Sequence, residues 1–103
     1  MLVNSKDKLP EYQVIGKKLR IHWDFKEVPA TDDRDGGWEC EEAVCSVSAS
    51  RSEIIEAIIR TKYPTYGAEL AAIQNSGVDA EEHQAFRAFA KLLADGWLNG
   101  RNN

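Results

Sequence analysis

The chain has 103 residues, enough for one domain, and 43% of them are hydrophobic. Its net charge is −4, with 7 basic and 10 acidic side chains in residues 1–49 and 6 and 7 in residues 50–103. Neither half is basic, which argues against binding to a nucleic-acid backbone. No stretch approaches the roughly 20 apolar residues that span a bilayer, and the first residues lack the apolar region of a signal peptide. We therefore expect a cytoplasmic protein that makes no membrane contact.

The first half of the chain predicts strands. Residues 1–10 are polar and end in a proline, which indicates a flexible lead-in. Residues 12–15 predict a short strand, and a turn at Gly16-Lys17 leads into a second strand from Lys18 to Val28. Apolar and polar residues alternate along that second strand, as in a half-buried strand. Its apolar positions share one predicted face: Leu19, Ile21, Trp23 and Phe25.

A third strand is predicted from Trp38 to Val47, after a polar loop at residues 29–37. Its apolar residues change from one face to the other part-way along the strand. Trp38 and Cys40 fall on one face, whereas Ala43, Cys45 and Val47 fall on the other. A β-bulge near Glu41 and Glu42 would reconcile the two halves. Residues 11–48 thus predict a three-stranded antiparallel meander.

The second half, residues 50–98, predicts three helices. A capping box from Ser50 to Glu53 opens the first helix, and Pro64 stops it. Its apolar stripe consists of isoleucines at helical spacing: Ile54, Ile55, Ile58 and Ile59. Thr65 offers the N-cap of the second helix, which is rich in alanine.

The boundaries of the last two helices follow from small and acidic residues. Asn75-Ser76-Gly77 predicts the end of the second helix, with Gly77 in the left-handed region. Asp79 to Glu82 predicts a second capping box, and aromatic residues follow up to Trp97. Residues 99–103 are expected to fray. We therefore predict a single α+β domain, with three helices packed on one face of a three-stranded meander.

An acidic loop offers the clearest candidate ligand set. Carboxylate and hydroxyl side chains surround Gly36 at the offsets of an EF-hand calcium loop: Thr31, Asp33, Asp35, Glu39 and Glu42. Thr31 stands where that pattern has Asp, and a strand rather than a helix enters the loop. A solvated hairpin loop is the simpler interpretation, and a small calcium-binding module is kept as an alternative function.

The cysteines and histidines are of zinc-ligand type, but their spacing is not that of a zinc finger or ribbon. An odd separation places Cys40 and Cys45 on opposite faces of a strand, so we expect packed, reduced thiols. His22 and His83 are expected at the surface. No Gly-rich phosphate loop and no G-x-S-x-G motif is present. The sequence therefore predicts no cofactor, no catalytic residue and no enzymatic activity.

Four aromatic side chains are candidates for binding a protein partner. Trp23, Phe25 and Trp38 cluster on one predicted hairpin and would form a contact patch wherever the helices leave them uncovered. Tyr66 begins the second helix. Arg87 and Lys91 on the third helix support a different alternative, a regulatory DNA-binding domain.

Three runs in the helical half, residues 54–63, 69–73 and 81–89, carry a family resemblance. They hold a helix ending in basic residues and a tyrosine, a short Glu- and Ala-containing helix, and an acidic opening before two phenylalanines. This pattern resembles the C-terminal helical region of small phage and prophage proteins encoded among tail genes, a family of uncharacterised function. The resemblance implies a prophage origin, a cytoplasmic or virion location, and a non-enzymatic role in tail assembly or structure. The implied partners are phage structural proteins or further copies of the chain.

Overall fold

The computed structural model describes residues 1–74 and 77–101. The chain divides into two units, Met1–Ser48 and Ala49–Asn103. The first holds a four-stranded antiparallel sheet and the second holds three helices. The α+β class is therefore confirmed, whereas the predicted count of three strands is wrong. That the helices cover one face of the sheet stays a prediction.

The sheet has the strand order β1-β4-β3-β2. Its strands are β1 (Leu2–Ser5), β2 (Tyr12–Ile15), β3 (Lys18–Val28) and β4 (Gly37–Ser46). The last three form the predicted meander, and Gly16, at φ 62°, makes the turn between β2 and β3. β1 pairs with β4 at the sheet edge, where the sequence predicted a flexible lead-in. Only Leu2 and Val3 of β1 are apolar, so its sequence does not differ from that of a polar lead-in.

The β-bulge lies in β3 and not in β4. Trp23 pairs with Glu41 and Lys26 with Glu39, so both Asp24 and Phe25 stand opposite Cys40 alone. Asp24 adopts the left-handed conformation, with φ 57°. The extra residue interrupts the alternation of side chains along β3. Phe25 therefore lies on the face opposite Leu19, Ile21 and Trp23. The predicted bulge at Glu41–Glu42 and the predicted common face of these four residues are therefore wrong.

Residues 6–11, here called the strap, cross one face of the sheet. They must do so because β1 and β2 lie at opposite edges. The Lys8 ammonium lies 4.9 Å from the ring centroid of Phe25 and 5.4 Å from that of Trp38. The strap therefore runs over the face that carries these two rings. The strap explains why the apolar residues of β4 change from one face to the other. At the Trp38 end of the strand, the apolar side chains lie on the face that the strap covers.

The helices are α1 (Arg51–Lys62), α2 (Tyr66–Gln74) and α3 (Val78–Arg101), and both α1 and α2 pack on α3. The predicted capping box is present, since the Glu53 N–H donates to Ser50 Oγ and the Ser50 N–H to Glu53 Oε1. Thr65 caps α2 through the Ala68 N–H, as predicted. The four isoleucines of α1 are buried.

The ends of α3 differ from the prediction. The Glu81 N–H donates to the Gly77 carbonyl at 3.1 Å, so the helix begins at Val78 and Asp79 lies in its first turn. An N-cap at Asp79 is therefore wrong. α3 also continues to Arg101, past the predicted end. Gly77 has the expected left-handed φ of 92°, whereas Asn75, Ser76 and residues 102–103 lie outside the described residues. None of the helices described has the length and apolar character needed to cross a membrane.

The left-handed conformation at the bulge can be tested by substitution. Asp24→Val should lower the free energy of unfolding by about 1–2 kcal/mol, because a β-branched side chain is disfavoured at positive φ. Asp24→Gly should be close to neutral. Urea denaturation measures both, with Lys26→Val as the control at an exposed position of the same strand. Equal stability of the Asp24→Val and Asp24→Gly variants would contradict the placement of the bulge.

Candidate functional site

The predicted calcium ligands are not gathered at one point. The backbones of Thr31 and Arg34 exchange hydrogen bonds of 2.9 and 3.3 Å, which closes a tight turn around Asp33. Glu39 and Glu42 lie three residues apart on β4 and therefore on opposite faces. Among the residues that the structure describes, no three His, Cys, Asp or Glu side chains come together around a possible metal position.

The two cysteines lie on opposite faces of β4, as predicted, and neither forms a disulfide. Cys40 is buried, and burial raises the pKa of its thiol, with further contributions from Glu42 and Glu41. A thiol with a raised pKa is a poor nucleophile and a poor metal ligand, because both roles need the thiolate. Cys40 therefore acts as a packed side chain.

His22 is fully buried in the sheet unit, where the sequence predicted a surface residue. Its Nδ1 lies 2.7 Å from the Pro10 carbonyl oxygen and its Nε2 lies 2.9 Å from Glu42 Oε2. Its backbone N–H also donates to the Glu11 carbonyl at 2.8 Å. His22 on β3 thus forms two hydrogen bonds with the strap and one with Glu42 on β4.

The two hydrogen bonds of His22 fix the orientation of its ring. A carbonyl oxygen can only accept, so Nδ1 carries a hydrogen and donates it to Pro10. On the other side of the ring, Nε2 lies within hydrogen-bond distance of Glu42 Oε2 on β4. Arg20 lies 3.7 Å from the same oxygen and adds positive charge at the edge of the pair.

Glu69 is the centre of a second buried polar group, and it joins all three helices. Both terminal nitrogens of Arg60 on α1 donate to Glu69 Oε1 at 3.1 Å. Nε2 of His83 on α3 lies 2.8 Å from Glu69 Oε2, and Arg87 lies 3.7 Å from the same oxygen. Glu69 is 4% exposed and His83 is 6% exposed, so the prediction of a surface histidine is wrong here too.

The cations around Glu69 set its protonation. The hydrogen bond from His83 and the hydrogen bonds and charge of Arg60 lower the pKa of the Glu69 carboxyl, although burial opposes them. Glu69 is therefore a carboxylate at neutral pH. Arg60 also binds Glu56 at 2.8 Å, so its guanidinium lies between two carboxylates.

Both imidazoles are hydrogen-bonded to other groups of the protein. Nδ1 and Nε2 of His22 and Nε2 of His83 each lie within hydrogen-bond distance of another protein group. No serine or cysteine nucleophile is among those partners. Surface hollows of about 370 and 300 Å³ occur elsewhere, one beside Ser5, Arg34 and Trp38 and one between Tyr63 and Glu82. Neither hollow is lined by His22 or His83.

The candidate partner-binding aromatics are unequally available. Trp23 is buried, Phe25 and Trp38 are half-buried beside Lys8 of the strap, and Tyr66 is 66% exposed. On the surface of α3 the sequence singled out the basic Arg87 and Lys91 but not the apolar side chains. Leu92 is 72% exposed there, and the neighbouring Phe89 is 36% exposed. Helical spacing identified both as apolar but could not show that they lie outside the core.

Comparison of the chain with protein-family models, with curated proteins and with solved structures gives no match.

The buried carboxylate of Glu69 can be tested by Glu69→Gln. The change should lower the free energy of unfolding by about 2–4 kcal/mol at pH 7, because the amide keeps the shape but removes the buried negative charge that Arg60 and His83 bind. Since the pKa of Glu69 is lowered by folding, its contribution is full above the ordinary value of about 4.3 and is lost as the pH falls below it. Chemical denaturation from pH 7 to pH 3 measures this.

Glu56→Gln is the matched control, because Glu56 binds the same arginine from an exposed position. It should change stability by less than about 1 kcal/mol. A Glu69→Gln variant that is as stable as Glu56→Gln at pH 7, or a deficit that grows on acidification, would contradict the assignment.

The His22–Glu42 pair can be tested by a double-mutant cycle. His22→Leu should cost about 3–5 kcal/mol, because it removes the closest partner of the buried Glu42 carboxylate and leaves it only Arg20 at 3.7 Å. His22→Leu with Glu42→Leu should recover a large part of that loss, since two apolar groups need no partner. In both variants the strap should exchange its amide hydrogens faster than in Arg20→Leu. A double variant less stable than His22→Leu would show that the pair is not the unit described.

Proposed function

We propose that the chain is a non-enzymatic protein that acts by protein–protein contact through the outer face of α3. This face consists of five residues at helical spacing: Ala85, Ala88, Phe89, Leu92 and Gly96. The exposure of Leu92 is the observation that carries the proposal. The opposite side of the same helix is buried through Ala90, Leu93 and Ala94. α3 is therefore apolar on two sides, and the unit buries only one of them.

The exposed side chains of Leu92 and Phe89 can contribute to the free energy of binding a partner. Burying a leucine side chain gains roughly 1.5–3 kcal/mol relative to leaving it in water, so a partner that covers this face gains stability from the apolar area alone. Contiguous apolar patches on a protein surface commonly mark contact sites. The buried polar groups support the same conclusion, since His22, His83 and Glu69 are occupied by internal partners.

The family resemblance of residues 50–98 supports a more specific proposal, a role in phage tail assembly or structure. The runs that carry the resemblance include α1 and the first half of α3, up to Phe89. On this proposal the chain is prophage-derived, and its partner is a phage structural protein or a further copy of the chain. DNA binding gains no support from the charge of the chain, since the net charge is −4 and neither half is basic.

The contact face can be tested by site-specific photo-crosslinking. A benzophenone amino acid at Leu92 should give a discrete crosslinked product in cells that carry the native gene. The same group at Ile73, an exposed apolar position on α2, should give little or none. Mass spectrometry of the product identifies the partner, and a phage structural protein or a second copy is expected. Equal crosslinking from Leu92 and Ile73, or none from Leu92, would contradict the proposal.

A further inference from the structure

The outer face of α3 has the shape of a site for another helix. From Ala85 to Gly96 it runs for three turns, or roughly 16 Å at 1.5 Å per residue. Its two large side chains, Phe89 and Leu92, form a ridge, and its other members are alanine or glycine. Small residues beside such a ridge let a second helix approach closely, and an amphipathic helix in a groove is a common way to recognise this type of surface.

The borders of this face are acidic. At 100° per residue, Asp95 flanks it on one side and Glu82 flanks it on the other, and Glu81 lies in line with it one turn before Ala85. The basic residues of the helix lie away from it, since Lys91 and Arg87 are turned by roughly 120° and 160° from its centre. Arg51 binds Asp95 at 2.7 Å, and Lys62 lies 4.0 Å from Glu82. Glu81 has no cation within 4.0 Å among the described residues, so the uncompensated charge is concentrated at the N-terminal end of the face.

We infer that the partner of this face is a basic amphipathic helix, with an apolar ridge bordered by lysine or arginine; this rests on the proposed contact through α3. Lysine or arginine at its borders would pair with Glu81 and Glu82, while its ridge covers Leu92 and Phe89. Of the two partners proposed above, a second copy of α3 fits less well, because its own border carries Glu81, Glu82 and Asp95. The net charge of −4 favours the same partner at long range.

Two synthetic helical peptides provide the test. Each has about four turns and the same leucine ridge, and the borders are lysine in one and glutamate in the other. Fluorescence anisotropy of the labelled peptides with the full chain should show at least tenfold tighter binding of the lysine peptide in low salt. Its affinity should fall as salt is raised, because the contribution from Glu81 and Glu82 is screened.

Four variants locate the binding. Leu92→Gln should weaken the lysine peptide at least tenfold, and Glu81→Lys should weaken it several-fold and reduce its salt dependence. Ile73→Gln controls for loss of an exposed apolar residue elsewhere, and Asp35→Lys controls for the same charge reversal on the sheet unit. Ile73→Gln should bind the lysine peptide as the wild type does, and Asp35→Lys should weaken it clearly less than Glu81→Lys does.

Each other outcome overturns the inference in a recognisable way. Leu92-dependent binding of the glutamate peptide would keep α3 as the contact face and reject a basic partner. Equal weakening by Asp35→Lys and Glu81→Lys would show attraction to overall charge rather than to this face. Failure of both peptides to bind would reject the helical partner, while crosslinking from Leu92 decides separately whether the contact face exists.

Discussion

The helical unit depends on the carboxylate of Glu69. It lies on the shortest helix and is held by Arg60 from α1 and by His83 from α3, so one side chain fixes all three helices against each other. A buried charge of this kind contributes little net stability compared with apolar packing, but it tolerates only one arrangement of its partners. In that arrangement His83 lies on the same side of α3 as the buried Ala90, Leu93 and Ala94, and Leu92 lies in water.

The sheet unit uses the same chemistry for a different purpose. His22 and Glu42 form its buried pair, and the free side of the imidazole holds the strap that joins the two edge strands. In both units an imidazole and an arginine lie against the same buried carboxylate. Residue types that suggest catalysis or metal binding in the sequence are therefore structural in these pairs, and the exposed apolar surface of α3 carries the proposed function.

Features set by neighbouring residues were predictable, whereas features set by distant ones were not. The Ser50 capping box, the isoleucine stripe and the Gly16 turn each depend on a few adjacent residues. The histidine pairs join residues 20 and 14 positions apart, for which no spacing rule exists. The parity change in β4 was visible, but it has two physical explanations, and the sequence could not distinguish a bulge in β4 from the strap covering one end. Periodicity likewise marked Leu92 as apolar without showing which side of α3 is covered.

Carbene footprinting of the protein, alone and within its native assembly, tests the central claim most directly. Leu92 and Phe89 should be labelled in the isolated chain and protected in the assembly, because a partner covers the outer face of α3. His22 and His83 should remain unlabelled in both states, because they are buried by the fold itself. Protection confined to the sheet unit, with Leu92 labelled equally in both states, would contradict the account.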